Sequence, residues 1–271
     1  MVDAIELSNP SCRCDYSTPA DCQCLSIKPA RATTTLDMLY VHETHPVIGR
    51  CEDDFEAAFR GPGGWIERLA ATDDARLLWY LDHVHGSGPA YTVITITAVR
   101  DAAAWQRLVD RVHDGDLRDW SGQVDRLRHD MVSKVLRPLP WSELQEIDLA
   151  TVPVDNVQHD LVLFMEDTAN PHEGMVDSYI AKAGQEYAPS IQRPNPLLQL
   201  VGAFQPAFGT GRRREIVLWQ RIADNQALLR LFTTAVPAQF KAPGTWMYDA
   251  LEVRDQWTSR LLRTASWSPL A

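Results

Sequence analysis

No stretch of this 271-residue chain approaches the roughly 18 consecutive apolar residues of a membrane-spanning helix, so no membrane helix is expected. The N-terminus lacks the basic n-region and apolar h-region of a secretory signal, which makes the cytoplasm the expected location. Basic residues are in deficit. Lys and Arg number 26 against 36 Asp and Glu, a net charge of -10. Such a balance disfavours phosphate backbones and anionic lipid, and the single basic run, Arg212-Arg213-Arg214, is too short to reverse it. Neither nucleic acid nor a membrane is therefore expected as a partner. There is also no G-x-G-x-x-G turn, no phosphate loop ending in Lys-Ser/Thr and no Gly-x-Ser-x-Gly elbow, which argues against nucleotide cofactors and hydrolase triads.

What is present is an ordinary globular composition, 45% hydrophobic and 23% charged. The length allows one large core or two small ones. Four of the 5 cysteines fall close together as Cys12-x-Cys14 and Cys22-x-Cys24. Two such pairs could wrap a thiophilic metal such as zinc, although the usual spacing is Cys-x2-Cys; disulfides or an unliganded tail are the alternatives. The segment 1–32 is rich in Pro, Ser and Cys without periodicity and reads as an arm outside the core.

Aligning the chain with itself shows a duplication. Trp120 to Leu144 lies over Trp246 to Leu270 without gaps, with identities at Trp120/Trp246, Arg128/Arg254, Ser133/Ser259, Leu136/Leu262, Arg137/Arg263, Trp141/Trp267, Ser142/Ser268 and Leu144/Leu270. His83 to Asp101 lies over Pro206 to Asp224 through Gly86/Gly209, Gly88/Gly211 and Asp101/Asp224, and Met38 to Gly49 over Leu163 to Gly174 through Pro46/Pro171 and Gly49/Gly174. The order is the same in both halves, and the drifting offset is what loop insertions cause.

Each half reads as β-α-β-β-α-β. In the first, LDMLYVHE is a strand. EDDFEAAFRGPGGWIERLAAT is a helix broken near Gly61-Pro62-Gly63-Gly64. ARLLWYLDHVH and AYTVITITAV form a hairpin around a Gly-Ser-Gly turn, DAAAWQRLVDRVHDG is a helix capped by Asp101, and MVSKVLRPL is a last strand. The expected organisation is the arm at 1–32, repeats at 33–145 and 160–271, and a linker at 146–159. The fold class is α+β: two tandem ferredoxin-like units whose half-covered sheets pack face to face as a barrel with a central cavity. A tandem repeat of this plan and size resembles the dimeric α+β barrel superfamily in its fused form. That superfamily includes NIPSNAP-like, EthD-like, antibiotic-biosynthesis-monooxygenase-like and polyketide-cyclase-like proteins, the haem-binding dye peroxidases and the chlorite dismutases. The resemblance covers about Thr33 to Leu270 and rests on architecture, not on a diagnostic motif, so no family's active-site residues are carried over. It implies a small, largely apolar substrate in the barrel, and a chain able to close its own barrel is compatible with a monomer or a homodimer.

The duplication also serves as an internal control. His42, His45, His83 and His85 cluster at strand ends of the first copy, and the self-alignment sets them over Asp167, Asn170, Pro206 and Phe208. An imidazole titrates near neutrality and can give and take protons there. The first reading is therefore a cofactor-independent acid–base site of lyase, isomerase, cyclase or monooxygenase type, in specialised metabolism or catabolism. His42 is its base, Tyr40 and Tyr91 are hydrogen-bond donors, and Asp82 or His83 lends support. Glu43 or Asp82 would orient a histidine, and His85, Thr95, Arg214 and Gln220 would contact substrate. Strand alternation assigns Tyr91, Thr95 and Thr97 to the cavity and the Ile94–Ile96 face to the helices. Two other readings stand beside this one. His83-x-His85 with His42 and Glu43 could hold a divalent metal or supply an axial haem ligand, or the protein could bind a ligand without turnover. Histidines flanking a turn, as His83 and His85 do, are also commonly just solvated.

Overall fold

A computed structural model describes residues 38–155, 158–192, 196–212 and 214–271, so the cysteine arm lies outside the described residues. The first repeat contains β1 (Leu39–Pro46), α1 (Glu52–Arg60), α2 (Trp65–Ala70), β2 (Ala75–His83), β3 (Thr92–Val99), α3 (Ala102–His113), α4 (Arg118–Val124) and β4 (Val132–Pro138). The second contains β5 (Leu163–Pro171), α5 (Val176–Lys182), α6 (Ala188–Ile191), β6 (Leu198–Pro206), β7 (Ile216–Ile222), α7 (Asn225–Thr233), α8 (Trp246–Asp249) and β8 (Arg254–Thr264). Local chemistry sets the helix ends. Glu52, Asp53 and Asp54 complement the positive N-terminal end of α1, and Gly61 to Gly64 interrupt it before α2. Asp101 and Asp224 accept hydrogen bonds from backbone amides of α3 and α7. No helix among the described residues is long and apolar enough to cross a membrane.

The eight strands close into an all-antiparallel barrel in the order β1-β3-β2-β8-β5-β7-β6-β4. Within each repeat the order is that of a ferredoxin-like sheet, and the repeats join where β2 meets β8 and β4 meets β6. The antiparallel pairings send β1 and β5 the same way along the barrel, so the pseudo-twofold relating the repeats runs along its axis. Even the irregularities repeat: β2 bulges between Leu77 and Trp79, and β6 between Leu200 and Gly202.

The matched tryptophans and serines clasp one repeat to the other. Trp141 Nε1 donates to the Ile180 carbonyl of the second repeat (2.8 Å), and Trp267 Nε1 donates to Glu56 of the first (2.8 Å). Ser142 Oγ accepts from the amide of Ala203 and Ser268 Oγ from that of Tyr80. Leu144, Ile147, Leu149 and Val152 then pack beneath the barrel with Met38, so the segment expected as a linker closes its lower end.

The interior departs from the sequence-based expectation. Tyr40, Trp79, Ile94, Ile96, Phe164, Phe204, Val217 and Trp219 fill the barrel, with Trp79, Phe164 and Trp219 in mutual ring contact. The β1–β3 register places Ile96 beside His42, so the apolar face of β3 points inward. Val93, Thr95 and Thr97 face the helices, the reverse of the assignment from alternation. The cause is that a closed eight-stranded barrel buries its inner face as fully as helices bury its outer one. Two clefts, of about 490 and 390 Å³, lie on the surface around Glu146–Ala150 and around Pro62 with Val154, and none of the expected site residues lines them.

Candidate active site

The charged groups of the interior gather on the barrel axis. His42 on β1 lies opposite Ile96 on β3 and Lys134 on β4; Glu166 on β5 lies opposite Trp219 on β7 and Arg260 on β8. Register therefore makes Glu166 the counterpart of His42, and Arg260 that of Lys134. The self-alignment sets Asp167 against His42, one residue out of register, and Asp167 faces the helices. Because the twofold runs along the axis, the two counterparts meet on it. His42 Nε2 is 2.8 Å from Glu166 Oε2, with both side chains almost wholly buried. The other Glu166 oxygen accepts from Arg260 Nη2, and on the opposite side Lys134 Nζ pairs with the buried Glu215.

Burial pushes the Glu166 carboxyl up, but the charge and hydrogen bond of His42, followed by those of Arg260, outweigh it and hold the group well below the usual carboxylate range. Glu166 Oε2 accepts a hydrogen bond from His42 Nε2–H; in the neutral tautomer compatible with that bond Nδ1 carries the lone pair, and in the charged ring Nδ1 carries a hydrogen. His42 Nδ1 is buried and has no hydrogen-bond partner among the described residues. The carboxylate–imidazole pair thus leaves one ring nitrogen buried and unpartnered inside the protein, with the ring oriented from the other repeat.

His83 also turns inward, at the upper end of β2. Both ring nitrogens are buried and without partners among the described residues. Burial, then the nearby Arg260 charge, lowers its pKa against an opposing pull from Glu166. Gly88 of the β2–β3 turn covers the ring so closely that a Cβ there would fall 1.6 Å from Nδ1. The indole nitrogens of Trp79 and Trp219 likewise lack partners, so several unpaired ring nitrogens converge on one interior.

The remaining expected site residues lie elsewhere. Tyr40 is inside the barrel, but its hydroxyl donates to the Leu144 carbonyl (3.3 Å) at the closed end. Tyr91 is exposed, with a positive φ of 56, in the turn before β3. His85 and Arg214 are exposed on hairpin turns. Asp82 alternates away from His83 and faces outward. Burial raises its pKa, with Arg263 lowering and Glu56 raising it further. Glu43 and Thr95 belong to a relay beneath α1. Arg128 donates to His45 Nδ1 (2.8 Å), His45 Nε2–H to Thr95 Oγ1 (3.0 Å) and Thr95 to Glu43 (3.2 Å). Gln220 sits behind the second sheet, where it takes a hydrogen bond from Tyr187 and donates to Asp167 (2.9 Å). These placements also separate the expected metal ligands, since His42 points inward, Glu43 outward and His85 to solvent. No three His, Cys, Asp or Glu among the described residues converge to hold an ion. Cys12, Cys14, Cys22 and Cys24 lie outside them.

Glu166, Arg260, Lys134 and Glu215 went unnoticed in the sequence. One signal for two of them was present: the gapless match over Trp120 to Leu144 sets Lys134 over Arg260, basic on basic at an inward position.

The architecture defines the class. The fold is that of the dimeric α+β barrels, closed here within one chain by two ferredoxin-like repeats. Solved structures share it at low identity. A candidate monooxygenase from Fusobacterium nucleatum superposes with a TM-score of 0.56 at 7% identity, over 85% of this chain and 93% of that one. A second, from Lactobacillus acidophilus, gives 0.53 at 11% over 86% and 97%. A variant of chlorite dismutase from Candidatus Nitrospira defluvii gives 0.52 at 8% over 87% and 93%. No family model matches the chain, and no curated protein matches it by sequence.

Proposed function

We propose that this protein is a cofactor-independent enzyme in which His42, oriented by Glu166, acts as general base on a small, largely apolar, planar substrate held at the upper end of the barrel. The observation that carries this reading is the buried His42–Glu166 pair with Nδ1 left free. Nδ1 takes a proton from an acidic C–H or O–H group. The imidazolium that forms is stabilised by the Glu166 carboxylate, which Arg260 in turn holds in place. His83, with both nitrogens free, is placed to return a proton or to donate to a developing oxyanion. The indoles of Trp79 and Trp219 suit a flat apolar body with acceptor oxygens, because an indole N–H can only donate. Candidate monooxygenases on the same barrel are consistent with an enzyme. Whether the anion isomerises, eliminates, cyclises or meets dioxygen depends on the substrate.

The test is proton exchange. A panel of phenols and aryl ketones in deuterated buffer, followed by NMR, should show enzyme-dependent exchange at an acidic position. His42→Gln should lower it by about 10²–10⁴-fold and Glu166→Gln by a smaller factor. A folded His42→Gln protein with undiminished exchange overturns the assignment of the base. No exchange by the wild type on any member favours a ligand-binding protein over an enzyme.

A further inference from the structure

The two repeats keep an arginine at one position behind the sheet and treat it differently. Arg128 and Arg254 are counterparts by sequence, and the bridges Val47↔Arg128 and Pro171↔Arg254 place them alike. In the first repeat Arg128 is fully engaged, donating to Asp125 three residues earlier and to His45. In the second, the same offsets put Leu251 where Asp125 stands and Ala169 where His45 stands. The cation has been kept and both of its partners are gone.

Arg254 is nevertheless only 4% exposed; it keeps a side-chain hydrogen bond with Tyr179, but its Nε and Nη1 have no hydrogen-bond partner among the described residues. A buried guanidinium with two nitrogens unpaired is costly, and substitution at this position would relieve the cost. Its surroundings are aromatic. The guanidinium lies 4.4 Å from the Trp257 ring centroid and 5.7 Å from that of Trp246, and Trp246 in turn packs on Tyr179 and Tyr187. The acid nearest in kind, Asp167, has its oxygens taken by Gln220 and Ser259. Trp257, which packs on the guanidinium, is itself 42% exposed.

We propose that Arg254, Trp246 and Trp257 form a second ligand site, which takes an aromatic carboxylate. The carboxylate replaces the missing Asp125 and His45 equivalents, and the ring lies against the indoles. One negative charge matches one arginine, and Asp167 close by disfavours a dianion.

Benzoate is the probe and thermal unfolding of the full chain the measurement. Millimolar benzoate should raise the midpoint saturably in the wild type and equally in His42→Gln, which separates this site from the barrel axis. Leu251→Asp rebuilds the first repeat's partner at an exposed position. It should raise the midpoint without ligand and abolish the response to benzoate. No response in the wild type, a response that survives Leu251→Asp, or one that is lost in His42→Gln each overturns the proposal.

Discussion

At the barrel axis the first repeat contributes His42 and Lys134, and the second contributes Glu166 and Arg260. Behind the sheets the first has the relay Arg128–His45–Thr95–Glu43, and the second has Asp167 tied to Gln220 and Ser259 beside an underused Arg254. The two comparisons differ in kind. On the axis, each repeat's residue touches its own counterpart. Two identical units would set histidine against histidine or carboxylate against carboxylate, and like charges in a buried place repel. Only a fused chain can put a base on one side and an acid on the other, so there the copies diverge as a pair. Behind the sheets the counterparts never meet, and each copy changes alone.

Breaking the axis pair should give the largest effect. Glu166→Gln keeps the shape but leaves Arg260 without its counter-ion. Loss of one partner of a buried pair costs about 3 kcal/mol, and urea unfolding at neutral pH would measure it. The exchange of His42→Glu together with Glu166→His should recover most of the loss, because the axis relates the two positions. A loss in Glu166→Gln below about 1 kcal/mol, the worth of an exposed pair, would show that the axis pair contributes little to stability.

The relay behind the first sheet gives a smaller, pH-dependent effect. Burial first, then the charges of Arg128 and His42, lower the His45 pKa to about 3 from 6.5. Because the folded value is the lower one, the unfolded chain takes up the proton first. The stability held by neutral His45 is complete above about pH 6.5 and is lost as pH falls towards 3. Between pH 7 and 4.5 that amounts to roughly 2–3 kcal/mol. Glu43 works the other way: burial raises its carboxyl pKa against the pull of Arg128, the Thr95 hydrogen bond and His42, so its protonation stabilises the fold as pH falls. The informative quantity is therefore the difference between wild type and His45→Gln, whose stability should fall less over this range. Parallel pH profiles for the two proteins would show that His45 is not held neutral.

The duplication, the strand order and the Asp101 helix cap were legible in the sequence, because they depend on local pattern and on residues such as Trp141 and Trp267 that both copies need. His42 and His83 stood out as imidazoles absent from the second copy. The inner face of β3 was misread, since alternation says that two faces differ without saying which one a closed barrel will bury. Glu166 was missed because its partner is 124 residues away. It lies in the apolar run Leu163-Phe164-Met165, and a one-residue error in the offset put Asp167 in its place.

The smallest expected effect concerns His83, the residue that distinguishes the rims of the two repeats. Gly88 packs on the His83 ring, and its counterpart Gly211 packs on Pro206, where a Cβ would lie 3.1 Å from the proline Cβ. Gly88 is not there for the same reason as Gly86 and Gly209, whose φ values of 83 and 87 demand glycine for the turn itself, whereas Gly211, at a φ of 60, shares that backbone requirement. Gly88→Ala must displace the imidazole, because the added carbon meets the ring and not the tip of a flexible chain. It should cost about 1 kcal/mol by overpacking and should lower proton exchange if His83 serves the reaction. Gly86→Ala should cost a similar amount through backbone strain while leaving exchange per folded molecule unchanged. Equal exchange in both variants, normalised to folded protein, would remove His83 from the site and leave the His42–Glu166 pair to act alone.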